Sequence, residues 1–75
     1  MNYPQYRKYH NAQNYFKIIS AEELEEIRFI GHKCFVHTLR ARILPERNFI
    51  HDLTFDFEKM GAEIPAEEYE RVKRD

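Results

Sequence analysis

A single cysteine, Cys34, is all the thiol chemistry this chain offers. It allows no internal disulfide and no cysteine-rich metal framework. Glycine is confined to Gly31 and Gly61, so no Gly-rich phosphate loop exists. No apolar run approaches the roughly 18 residues that a membrane span needs. The first residues lack an apolar stretch, so a signal peptide is not expected, and one unpaired cysteine suits a reducing, cytoplasmic setting.

Catalytic and metal-binding patterns are equally thin. His32 and Cys34 stand two apart and share a strand face, but no His-x3-His or Cys-x2-Cys spacing accompanies them. His37 falls on the opposite face from Cys34, which leaves a cysteine nucleophile without its base. Asp52 and Asp56 are four apart, with nothing nearby that suggests a pocket, so solvated acids on a polar face describe them best. No catalytic residue, cofactor or metal ligand is assigned, and the chain is not expected to be an enzyme.

Aromatic rings are what the chain has in quantity: five Tyr and six Phe in 75 residues. Hydrophobic residues make up 43% and charged ones 33%, a balance that favours a folded domain. A chain this short buries only about 60% of its unfolded surface. A core of that size rarely supplies more than roughly 3–5 kcal/mol, and small domains often add a staple. With disulfide and metal excluded, oligomerisation is the staple that remains.

The net charge of −1 conceals a segregation. Residues 1–20 carry Arg7, Lys8 and Lys17 and no acid, whereas residues 21–26 hold four Glu. Residues 28–47 carry five cations against Glu46, and residues 52–70 seven acids against Lys59. Mutually compensating solvated faces explain this most simply, although such halves can also attract one another.

Residues 1–14 read as a flexible polar arm, with Tyr3, Tyr6 and Tyr9 at every third place and Arg7, Lys8 and His10 among them. The rest, residues 15–75, reads as one small domain. Tyr15 to Ile19 is a strand by residue type. Ser20 then offers a helix N-cap with Glu23 at the capping-box spacing. Repulsion between Glu22 and Glu26 makes that helix marginal, and residues 26–30 form an alternative strand, hairpinned through Gly31-His32. Alternation over Lys33 to Leu44 predicts a strand that Pro45 stops.

Residues 48–60 fit a helix better than a strand. At ~100° per residue, Phe49, Ile50, Leu53, Phe57 and Met60 share one arc, and Phe55 is the lone apolar outlier. Pro45 and Gly61 suit its two ends. Ala62 to Ile64 is extended, and residues 65–74 form a second helix supported by Glu67–Arg71 and Glu70–Arg74 pairs. Residues 19–28 (ISAEELEEIR) and 64–73 (IPAEEYERVK) repeat one pattern 45 positions apart, so both copies are expected to enter helices.

The predicted fold is α+β: a two- or three-stranded sheet with helices packed on one face, preceded by the flexible arm. The expected core is Phe16, Ile18, Leu24, Ile27, Phe35, Leu39, Ile43, Ile50, Leu53, Phe57, Tyr69 and Val72. The expected function is association, most simply as a homodimer, with another protein as a possible partner. Phe55, Tyr3, Tyr6 and Tyr9 are the candidate interface residues. The alternative is nucleic-acid binding through Arg40, Arg42, Arg47, Arg7 and Lys8, where cations lie near aromatic rings. A pI near 6.4 argues against it.

Overall fold

The computed structural model describes residues 2–74. Its elements run β1 (Gln5–Tyr9), β2 (Asn14–Ser20), β3 (Glu23–Ile30), β4 (Lys33–Arg40), α1 (Leu44–Phe55), β5 (Gly61–Glu63) and α2 (Ala66–Arg74). The strands form one antiparallel sheet in the order β4-β3-β2-β1-β5. This corrects the expected two- or three-stranded sheet. It also corrects the flexible arm, because Gln5–Tyr9 lies between β2 and β5 in the interior of the sheet.

Each turn of the β1–β4 meander has a local cause. Between β1 and β2, the Asn11 side chain accepts from the Gln13 backbone N–H at 2.9 Å. Ser20 was expected to cap a helix; its hydroxyl instead accepts from the Glu22 N–H at 3.1 Å and closes the β2–β3 turn. Between β3 and β4, Gly31 adopts φ +62° at the first place of a two-residue turn, a conformation glycine reaches without strain. That hairpin is the alternative reading of residues 26–30, extended back to Glu23.

The first copy of the repeat is therefore a strand, not a helix. Leu24 and Ile27 are both fully buried, three residues apart, and a strand sends them to opposite faces. Both faces are covered, which corrects the expected packing of the helices on one face: the helices flank the sheet. Helix α1 packs with Phe16, Ile18, Leu24 and Ala41 through Ile50 and Leu53. Helix α2 packs with Tyr15 and Ile27 through Tyr69, joined by Ile64. The pairs Ile18↔Leu24↔Leu39 and Tyr15↔Ile27 keep the two sets in register on their own faces.

Helix α1 is shifted from the expected 48–60. Glu46 reaches back to accept from the Arg42 and Ile43 N–H groups, which starts the helix early. Asp56 closes it by donating to the Asp52 carbonyl, and Met60 and Gly61 both donate to the Phe57 carbonyl in the turn toward β5. The early start also shortens β4, which ends at Arg40 rather than Leu44. Ile43 becomes an exposed residue before the helix, and Phe35, also expected in the core, stays 47% exposed.

Candidate functional site

Strand β4 is the least covered part of the sheet. It pairs with β3 alone, and every residue in it except Leu39 is exposed. Phe35 projects on the α1 side and Val36 (46% exposed) on the α2 side, so neither helix reaches this far. Neighbouring Ile30 is 58% exposed and the Cys34 thiol is open to solvent. In a two-residue hairpin the pair next to the turn, here Ile30–Lys33, is the hydrogen-bonded kind. Alternation from there turns the backbone N–H and C=O groups of Cys34, Val36, Thr38 and Arg40 outward.

The electrostatics of β4 are settled mostly on its inner side. His37 Nε2 lies 3.1 Å from a carboxylate oxygen of Glu26, whose side chain is buried and also accepts from Asn14 at 2.6 Å. Arg28 adds a longer contact to Glu26 at 3.4 Å. Arg40 pairs with Glu23 at 3.4 Å. Lys33 has no ion-pair partner among the described residues.

The other residues singled out from sequence scatter. Tyr6 stacks on Tyr69 at 5.3 Å between ring centroids, and Tyr9 meets Phe16 edge-on at 4.9 Å, so both are half-buried parts of the core. Arg7 is buried, and its guanidinium donates to the Leu53, Thr54 and Tyr6 carbonyls. Burial lowers its pKa, which Glu63 partly offsets. Lys8 bonds Glu68 at 3.1 Å, and that hydrogen bond raises its pKa. Arg47 pairs with Glu22 at 3.5 Å, while the Arg42 side chain has no ion-pair partner among the described residues.

Three of the nominated residues do converge. Tyr3, Arg47 and Phe55 line a cleft of about 260 Å³ between α1, the β2–β3 turn and the residues before β1. Arg47, His51 and Phe55 are spaced by four, so they form one ridge of the helix, separate from the Phe49–Ile50–Leu53 stripe that faces the sheet. Phe55 lies outside the core arc for that reason, and it stacks against His51 at 4.8 Å. The four-residue spacing was readable in the sequence as a second stripe; the opposing wall was not, because Tyr3 and Glu22 arrive from distant parts of the chain.

Among the described residues, no group of three or more His, Cys, Asp or Glu side chains could hold a metal ion. No helix there is long and apolar enough to cross a membrane. The chain matches no protein-family model, no curated protein and no solved structure.

Proposed function

We propose that this protein is a non-enzymatic association module that forms a homodimer by pairing β4 with β4 of a second copy. The observation that carries it is an eight-residue edge strand with outward backbone groups and exposed apolar residues on both faces. Such edges pair with other chains unless something blunts them. Here no helix covers β4, no proline interrupts it, and its cations sit at its two ends.

A second copy suits this edge better than an unrelated strand. An antiparallel arrangement about a two-fold centred on Val36 spans Lys33 to Leu39 in both chains. It sets Phe35 across from His37 and Cys34 across from Thr38, and Val36 meets its own image. Lys33 and Arg40 project to opposite faces, so the ends of the two strands do not place these cations side by side. The seam would also shelter Phe35, which the single chain leaves 47% exposed.

Nucleic-acid binding draws less support. Of its five nominated cations, Arg7 is buried and Lys8, Arg40 and Arg47 each have a carboxylate partner. A phosphate would have to compete with those carboxylates.

Light scattering over a hundredfold concentration range tests the dimer. Wild type should show twice the monomer mass, and Val36→Lys should be monomeric with an unchanged far-UV spectrum, because position 36 is 46% exposed on the edge strand and a lysine there can carry its charge into solvent. A wild-type chain that remains monomeric throughout would overturn the proposal.

A further inference from the structure

We infer that the cleft between α1 and the β2–β3 turn binds a free aromatic amino acid, with the ring beside His51 and Phe55 and the charged head on Arg47 and Glu22. The cleft's volume, about 260 Å³, falls just below the range of drug-sized pockets and suits a guest of one or two fused rings. Ile50, fully buried, supplies an apolar floor. Tyr3 stands as a third ring at the wall, 38% exposed. Rings arranged in this way favour a flat aromatic guest through offset and edge-on contacts.

The polar end specifies the head group. Arg47 and Glu22 contact each other through one nitrogen and one oxygen at 3.5 Å, with about half of each side chain in solvent. Exposed pairs of this kind contribute little to stability, so a guest can exchange into them at small cost. Arg47 retains donors for a carboxylate, and Glu22 retains an acceptor for an ammonium group. Because the two side chains cancel in charge, a zwitterion meets both where a simple anion or cation would face one repulsive partner.

The spacing also fits. One step along the ridge, from Arg47 to His51, rises about 6 Å. This is comparable to the span between the head group and ring of an aromatic amino acid. The ridge therefore presents a cation, then a ring, then another ring, in the order such a guest would use them.

The test is a titration of the full isotope-labelled chain, followed by amide NMR shifts, with L-tryptophan, indole, tryptamine and indole-3-propionate as probes. L-tryptophan should give saturable shifts at residues 21–22 and 47–55, with at least tenfold higher affinity than any of the other three. Arg47→Gln and Phe55→Ser should each weaken it about tenfold while leaving the fold intact, since both side chains are exposed. Val36→Lys should bind as wild type does, which keeps this result separate from the dimer. Absence of saturable binding, an analogue lacking either charge that matches L-tryptophan, or unchanged affinity in both cleft variants would overturn the inference.

Discussion

Arg7 does for α1 what α1 does not do for itself. The last turn of that helix contains no basic residue. Arg7 reaches it from β1, with Nε 3.0 Å from the Leu53 carbonyl oxygen and Nη2 3.3 Å from that of Thr54. Its guanidinium carbon also sits 4.1 Å over the Phe57 ring. A cation at a helix C-terminus is favourable, and burial strengthens the interaction. Arg7→Met should therefore cost about 3 kcal/mol, because carbonyls are left buried without donors. Urea unfolding with an unchanged m-value would show that loss as a lower midpoint.

Glu25 is a second residue whose partners decide its behaviour. Burial pushes its pKa up, but hydrogen bonds from Tyr69 and Lys73, with the charges of Lys73 and Lys17, outweigh that and hold it below the ordinary 4.5. The stability gained from this depressed pKa is present above pH 4.5 and is lost as pH falls through the folded-state value. Tyr69 behaves oppositely: burial and Glu25 raise its pKa well above the ordinary 10. Its contribution is intact below pH 10 and declines as pH rises beyond it. Glu25→Gln should flatten the acid limb of a plot of Tm against pH and lower Tm at neutral pH. A wild-type and variant pair with parallel acid limbs would contradict this assignment.

At the level of elements, the two copies of the repeat show how far local pattern reaches. Residues 66–74 form a helix, as their well-oriented charge pairs and the preceding Pro65 indicate. Residues 19–28 carry the same acidic start yet extend into β2 and β3, because tertiary burial of Leu24 and Ile27 on two faces outweighs a weak helical preference. The signal that distinguishes them is Glu22 with Glu26, four apart and like-charged, where the second copy has Glu67 with Arg71. Strand β5 had even less to show in three residues. It exists because Gly61 lets β1 come close: a Cβ there would sit 1.8 Å from the Lys8 carbonyl oxygen. Gly61→Ala should detach this edge and cost about 3 kcal/mol, read as a lower unfolding midpoint.

For the molecule as a whole, the identity of the core was legible and its partition was not. The seven largest fully buried side chains are Tyr69, Phe16, Ile18, Leu24, Ile27, Ile50 and Leu53, and the sequence nominates each of them. Apolar character and periodicity are enough for that. Their division into two clusters depends on the helices crossing to opposite faces, which the chain decides through connections rather than residue types. Phe35 is misplaced because alternation marks a strand but only topology says that it is an edge, and Ile43 because Glu46 starts α1 early and leaves it beyond the end of β4. The cleft was half legible, since one wall is a helix ridge and the other is assembled from afar. Truncating Ile50 or Ile27 to alanine should each cost about 2–5 kcal/mol, and the similar losses would show that both faces are needed.

The placement of β1 has a consequence for biosynthesis. It is made before β2, β3 and β4, yet its outer neighbour β5 and the helix carrying Tyr69 are made after all of them. A nascent chain can form the β1–β4 meander while still on the ribosome, but one side of that meander, with Tyr6, Tyr15 and Ile27, stays wet until residues 64–72 leave the exit tunnel. During that interval the growing chain presents a bare apolar face as well as the β4 edge. Synonymous codons that slow translation before Ile64 should lengthen that exposure and with it the tendency of the growing chain to aggregate.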